Sequence, residues 1–347
     1  MIAYLNGNRL NDVHFHQGGG NGGDNIFAEI GYSEVPQVVQ DGIDYAKEIQ
    51  ANWDASKTDR SYAFSGDTKL VYFPEVDTSN VTNMRNMFAN SPIQTLPSNF
   101  NTSNVTSMQG LFQDCSSLAS LDLSHWVTSK VTNMAGLFQG CDNVIELDLS
   151  NWDTSNVTNI INQFANMSNV EHLNLRGWNV KKVEAIRGLF AKDVKLKSID
   201  ITGWDTSNVI SWCDSNTQCM FSGNKKLVKV DGYLDLSNCK EFGYISSSSF
   251  SDCGKLQKLE LRNMGKHSGM TAMYFYGDYS ATFVSWGKDT DDVPDARQSM
   301  INTLITYSFN RAAAGYSTCT ISLTYSVKNR LTTDEIAQIT AKGYTIA

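Results

Sequence analysis

The sequence lacks the usual signals of export, membrane insertion and nucleic-acid binding. Its first residues, Met-Ile-Ala-Tyr-Leu, contain no basic segment, apolar core or small-residue cleavage site, so we expect no secretory signal. No apolar run approaches the roughly 20 residues that cross a bilayer, which predicts no membrane insertion. The net charge of −8 and the absence of a basic run predict no nucleic-acid partner, because phosphate binding needs clustered Lys and Arg.

Catalytic motifs are missing as well. There is no G-x-S-x-G or H-E-x-x-H, and no pair of carboxylates stands out as a glycosidase pair. Among the five histidines only His14 and His16 form a close pair, beside a glycine-rich stretch. Two ligands there are too few for a typical zinc site. We therefore expect no enzyme, no cofactor and no metal, with a glycan-degrading enzyme as the least favoured alternative.

What the sequence does contain is an internal repeat. The phrase Thr-Ser-Asn-Val-Thr-Asn-Met recurs with variations, and its valines are spaced by 24 and then four times by 26 residues. A phenylalanine and a tryptophan recur with the same period, and this agreement predicts a repeat protein. The predicted core columns are Val105, Val131, Val157, Val183 and Val209; Phe112, Phe138, Phe164 and Phe190; and Trp126, Trp152, Trp178 and Trp204.

Each repeat reads as a strand, a turn and a short return. The Leu-x-x-Leu-x-Leu stretch alternates apolar and polar residues, which predicts a strand. Asp-Thr-Ser-Asn is typical of turns, and the spacing in Val-x-x-Met-x-x-x-Phe predicts an α-helical or 3₁₀ return. Because one unit cannot bury its own apolar side, we expect an α/β solenoid of the leucine-rich-repeat kind, with a parallel sheet whose strands lie about 4.8 Å apart.

Composition divides the chain into four predicted segments. Residues 1–23 are interpreted as an anchor followed by a glycine-rich tether. Residues 24–74 are predicted to form an N-terminal helical cap, and residues 75–265 the leucine-rich repeats. Residues 266–347 are predicted to form an α+β C-terminal cap that includes an aromatic-rich segment.

Three of the seven cysteines lie in the repeat register. Cys115, Cys141 and Cys253 each follow a repeated phenylalanine by three residues. This pattern and the odd total indicate buried thiols in a reducing compartment rather than a disulfide framework. The alternative of a zinc site lacks the expected Cys-x-x-Cys pairs. Whether Cys213 and Cys219, which flank an insertion, form a pair stays open.

A row of polar residues occupies the middle of the Leu-x-Leu pairs, so it should lie along one face of the strands. We interpret this row as solvated surface, with a calcium ladder and a binding face for a polar partner as alternatives. Aromatic residues between 267 and 293 are either packing residues or further contact residues. The candidate binding residues are Asp122, Asp148, Asn174, Asp200, Asp235, Glu260, Tyr274, Tyr276 and Trp286.

The repeat resembles a known family. The stretch Leu-Asp-Leu-Ser-Asn-Trp-Asp-Thr-Ser-Asn-Val-Thr at 147–158, with Met-x-x-Leu-Phe at 134–138, is similar to the BspA-like leucine-rich repeats of bacterial surface proteins and mycoplasma lipoproteins. The resemblance covers about residues 75–262 and is weaker at 180–183 and in the inserted repeat. It implies a right-handed solenoid used for adhesion and for protein or glycan binding, without catalysis. The ending at 337–346 looks like tails on such repeats in gut Bacteroidetes proteins and their phages.

These expectations lead to two hypotheses of function. Adhesive repeats without an export signal favour a phage structural protein, a head or tail fibre that displays the repeats for host attachment. Residues 1–23 would then contact another virion protein, and the repeats a protein or glycan on a cell surface. The alternative is a bacterial cell-surface adhesin whose export signal lies outside this sequence. A homo-oligomer is compatible with either hypothesis.

Overall fold

The computed structural model describes residues 37–239, apart from 120 and 213–218, and residues 331–346. Elsewhere it describes residues 310, 312, 313 and 318 and the backbone of several short strands. The predicted glycine-rich tether and most of the aromatic-rich segment, including Tyr276 and Trp286, lie outside the described residues. For Tyr274, which lies on a strand, only the backbone is described.

The described residues form short strands and two α-helices. None of these helices is both long and apolar enough to span a bilayer. In chain order the elements are β1 (Ala3–Leu5), β2 (Asn8–Leu10), α1 (Gln37–Ala51), β3 (Glu146–Asp148), β4 (His172–Asn174), β5 (Ser198–Asp200), β6 (Lys229–Asp235), β7 (Glu241–Phe242), β8 (Lys258–Arg262), β9 (Ala272–Phe275), β10 (Cys319–Leu323), α2 (Thr333–Ala341) and β11 (Tyr344–Ile346).

Successive repeats supply neighbouring strands of one parallel sheet, in the order β3-β4-β5-β6-β8. The central residues Leu147, Leu173 and Ile199 are in register and buried, and Val230 of β6 continues their row. The residues on either side of each central residue are more exposed, because side chains alternate along a strand. This parallel sheet with few helices confirms the predicted α/β repeat fold in its coarse form.

Aromatic side chains stack from repeat to repeat behind the sheet. Neighbouring tryptophan rings lie 5.9 Å apart for Trp126 and Trp152 and 6.2 Å apart for Trp152 and Trp178. Phe112 and Phe138 stack in a parallel row with centroids 5.8 Å apart. The valine, phenylalanine and tryptophan columns defined by the repeat are all buried, each side chain at most 5 % exposed. Together they form one continuous apolar interior.

The return segment is not a helix, so the predicted α-helical or 3₁₀ return is wrong. Alternate backbone N–H groups leave their own repeat: Met84 donates to Ser107 O and Phe88 donates to Leu111 O. The residues between them form turns within the repeat; for example, the Met87 N–H donates to Met84 O. Most return segments contain two residues in the left-handed conformation, four positions apart, such as Asn86 and Asn90. A residue in this conformation interrupts a right-handed helix. We call residues 83–90 and the equivalent stretches of the other repeats the turn side.

Helix α1 packs on the first repeats. Its residue Ile49 joins the repeat interior, and Val39 contacts the partly separate cluster around Tyr72. The Tyr45 hydroxyl donates to Asp67 at 2.5 Å, and this bond raises the pKa of Tyr45 to about 12. Helix α1 is therefore joined to the repeats by both apolar and polar contacts.

A second parallel sheet, in the order β11-β10-β9-β7, lies in the C-terminal region. Helix α2 precedes β11 and begins with a capping box, in which Thr332 and Glu335 each bond the backbone of the other. Its Ile339 and the adjoining Tyr344 are fully buried. At the other end of the chain, β1 and β2 pair antiparallel.

Candidate binding face

Two rows of outward residues cross strands β3 to β6 and line a shallow groove. We call this surface the strand face. Both rows follow from the alternation of side chains about the buried central residues. The row before the central residue contains Glu146, His172, Ser198 and Lys229, and the row after it contains Asp148, Asn174, Asp200 and Asp231.

The predicted acidic row is only partly assembled by the structure. Asp148, Asn174 and Asp200 are in register on adjacent strands. The next position belongs to Asp231 rather than to the predicted Asp235. The reason is that β6 pairs with β5 through Lys229, Val230 and Asp231, whereas Asp235 lies beyond a register shift in the pairing of β6 with β8.

The shift also separates the last two members of the predicted row. Glu260 of β8 lies opposite Tyr233, whereas Asp235 lies opposite Arg262. Asp122 belongs to a repeat whose Leu-x-Leu segment is not a regular strand among the described residues. Asp231 was not predicted as a member of the row, although the extra residues before Leu234 indicated that the register had to change.

The carboxylates of Asp122, Asp148 and Asp235 also close local turns. Asp148 Oδ1 accepts the Ser150 N–H at 3.0 Å and the Ser150 hydroxyl at 2.6 Å. Asp122 accepts from Ser124 with the same two distances, and Asp235 accepts the equivalent bonds from Ser237. For Asp122 and Asp148 the serine hydroxyl bond is the main cause that lowers the carboxyl pKa. Those two carboxylates stay ionised and are held in place.

The remaining groups give the strand face mixed charge. The His172 ring Nδ1 lies 2.7 Å from the Ser198 hydroxyl on the adjacent strand. Lys229 Nζ lies 2.8 Å from Asp231, and this hydrogen bond raises the pKa of Lys229. The face therefore offers carboxylate and amide acceptors beside ammonium and hydroxyl donors, which is the chemistry of a polar contact surface.

A metal-binding role has no geometric support where the structure is described. No three His, Cys, Asp or Glu side chains in that part of the chain are grouped to hold a metal ion. The acidic row presents one side chain per strand, and Asn174 interrupts it. Because Ca²⁺ needs six to eight oxygen ligands, such a row does not surround the ion.

Cys115 and Cys141, the two members of the cysteine column that the structure describes, are buried. Cys115 Sγ donates to Phe88 O at 3.0 Å, and Cys141 Sγ donates to Phe112 O at 3.1 Å in the next repeat. Burial raises the pKa of Cys115 to about 11 and raises that of Cys141 well above its usual value. Cys219 differs, because it is disulfide-bonded. The sequence left the pairing of this cysteine open, and Cys253 lies outside the described residues.

Comparison with known proteins identifies the family. A family model described as "Mycoplasma protein of unknown function, DUF285" matches residues 58–172 and again 137–259. The two overlapping matches span more than half of the 347 residues and include the strand face. They agree, at the level of the family, with the resemblance to BspA-like repeats. No curated protein matches the chain. This chain belongs to the family DUF285.

Proposed function

We propose that this chain is a surface-associated, non-enzymatic binding protein. In this proposal the repeats form a right-handed solenoid, and the strand face binds a protein or glycan. The observation that carries the proposal is that buried and outward positions of each repeat differ in how much their residues vary. The central residue of each strand closes the apolar interior, whereas its two neighbours vary among acidic, basic and neutral polar types. A fixed interior with a variable polar exterior is typical of repeat proteins that bind partners.

Two observations favour the cell surface as the location. The family resembles repeat proteins of bacterial surfaces, and Cys219 is disulfide-bonded. Disulfide bonds persist mainly in oxidising environments such as the cell exterior. Neither observation supports the narrower hypothesis of a virion fibre anchored by residues 1–23. We therefore propose a bacterial cell-surface adhesin rather than a phage component.

The location is tested on the organism that makes the protein. Intact cells are treated with a protease that does not enter them, and peptides of residues 58–239 are measured by mass spectrometry, with a cytoplasmic protein as control. We expect these peptides to be released before the cytoplasmic protein is cut. Release only after lysis, or recovery of the chain mainly from purified phage particles, would contradict the proposal.

The binding role is tested on the purified chain with cultured host cells. The variant His172→Ala with Asp200→Lys changes the strand face. A matched control changes exposed Thr106 to Ala and exposed Thr132 to Lys, each directly before a turn-side stretch. We expect the first variant to reduce cell binding about tenfold, because two central polar contacts are lost. Equal binding of both variants and the parent would exclude the strand face.

A further inference from the structure

Six exposed lysines lie close together on two adjacent repeats beside the strand face. Their backbones are joined directly: Lys192 N–H donates to Ser222 O at 2.7 Å, and Val228 N–H donates to Lys197 O at 2.8 Å. Lys192 also lies against Gly223, the equivalent residue of the next repeat. We call this group the lysine surface; it contains Lys192, Lys195, Lys197, Lys225, Lys226 and Lys229.

Most of this positive charge is not neutralised within the described part of the chain. Lys197 pairs with Glu171, and Lys229 pairs with Asp231. For Lys192, Lys225 and Lys226, no carboxylate among the described residues lies within ion-pair distance. Placing like charges together costs electrostatic free energy unless an anionic partner or solvent compensates it.

The lysine surface is confined to these repeats. At the positions equivalent to Lys192, Lys225 and Lys226, the repeat that precedes the two lysine-bearing repeats has Asn166, Ser168 and Asn169. One repeat earlier the same loop carries Asp142, and the loop before that carries Asp114. Because the backbone is the same without lysine, the repeat fold does not require this charge.

We propose that the lysine surface binds an acidic polysaccharide. The lysines are exposed and extend over two successive repeats, so they suit a polymer with repeated carboxylate or sulfate groups better than a single small anion. A single glycan chain is narrow enough to follow the lysines alone. A DNA duplex carries one charge per ~1.7 Å and would extend over the acidic residues of the strand face. The lysine surface shares only Lys229 with the strand face, and its binding role goes beyond the proposed function.

Binding is measured with immobilised heparin and polygalacturonate as the sulfated and carboxylated probes, at about 50 mM NaCl. The test variant, Lys192→Asn with Lys225→Ser and Lys226→Asn, takes the residues of the repeat that precedes the two lysine-bearing repeats and so preserves the fold. Asn also tolerates the left-handed conformation of Lys192. The control variant removes three exposed lysines elsewhere, namely Lys57→Gln with Lys130→Asn and Lys182→Asn.

We expect the parent and the control variant to bind at least one probe, with affinity that falls steeply as salt rises. The test variant should lose at least about tenfold in affinity while keeping its thermal unfolding temperature. Equal losses in both variants, no binding to either probe, or tighter binding to duplex DNA would overturn the proposal. The test variant leaves every strand-face residue unchanged, so its cell binding should equal that of the parent, and failure of the strand-face proposal can be distinguished from failure of this one.

Discussion

The strand side and the turn side of each repeat differ in how their peptide groups are oriented. On the turn side the carbonyls of Asn83 and Arg85 accept from the preceding repeat, through the N–H groups of Arg60 and Tyr62. The N–H groups of Met84 and the residues at two-residue intervals after it donate to the following repeat. Each of these peptide groups therefore points the same way along the stack. The peptide groups between them bond within their own repeat, as the Met87 N–H does to Met84 O, whereas in a regular parallel sheet such as β3 to β6 the intermediate groups bond to a neighbouring strand.

This difference sets which surface is free to vary. The turn side needs two left-handed residues per repeat, and these are mostly glycine or asparagine. On the strand side, the outward residues that flank each central residue need only an extended backbone, so acidic, basic or hydroxyl side chains all fit there. Variation at low cost is what a binding surface requires, which is why we place partner recognition on the strand face.

The largest expected effect is on the interior that both sides share. Trp178 is fully buried between two other tryptophans, and its Nε1 donates to Leu149 O at 2.8 Å. Trp178→Ala should lower the free energy of unfolding by about 3–5 kcal/mol, because it leaves a cavity and removes one of the two hydrogen bonds to Leu149 O, which also accepts the Trp152 N–H. Urea unfolding followed by circular dichroism measures the change. A loss below about 1 kcal/mol would show that the tryptophan row is not part of a packed interior.

A smaller effect distinguishes the two sides directly. Gly136 on the turn side has a φ of 63°, and an added Cβ would meet no atom closer than 3.5 Å. Gly136→Val should therefore cost about 2 kcal/mol through backbone strain alone, whereas Gly136→Asn should cost much less. Ser198→Val on the strand face should stay within about 0.5 kcal/mol of the parent. Thermal unfolding ranks the three variants by stability. Equal stability of Gly136→Val and Gly136→Asn would contradict the proposed backbone strain.

The third effect depends on pH. Asp193 occupies the cysteine column and is fully buried; its Oδ1 accepts the Met167 N–H at 2.8 Å, and its Oδ2 has no hydrogen-bond partner. Burial raises its carboxyl pKa well above the usual value. Since the unfolded chain ionises at the usual pKa, near ~4, the native state loses stability relative to it as pH rises above that value.

Replacing this carboxyl removes the pH-dependent cost. Asp193→Asn should stabilise the protein by about 1–2 kcal/mol near neutral pH, and its advantage should shrink as pH falls toward about 4. Asn224, which occupies the same column one repeat later and donates to Phe190 O, shows that an amide fits. The measurement is the difference in unfolding free energy between variant and parent across this pH range. A difference that does not change with pH would mean that Asp193 is not ionised differently in the two states.

Much of the interior could be predicted from the sequence, because identical side chains at a fixed period must lie over one another. The 26-residue spacing of Val131, Val157 and Val183 identified buried residues, and Leu147 and Leu173 identified neighbouring strands. The turn side was misjudged because a spacing of three to four residues fits both a helix and a series of turns. The recurrence of Gly or Asn four residues apart, as at Gly136 and Gly140, was the signal for turns.

The surface was less predictable than the interior. Asp235 matches the Leu-x-Leu pattern, yet Asp231 takes its place in the sheet because extra residues in β6 shift the register. The lysine surface could not be recognised in the sequence as a run of basic residues, since Lys192 and Lys225 are far apart in the chain. Their adjacency arises only when one repeat is laid on the next.

The sequence by itself determined the period, the residues of the apolar interior and the family, because burying a repeated apolar stripe permits few arrangements. Only the tertiary structure decided which outward residues are neighbours, which carboxyl is buried without a full set of partners, and how the return segment is hydrogen-bonded. The reason is that contacts between repeats depend on register, and a local insertion changes the register without changing the pattern of apolar residues.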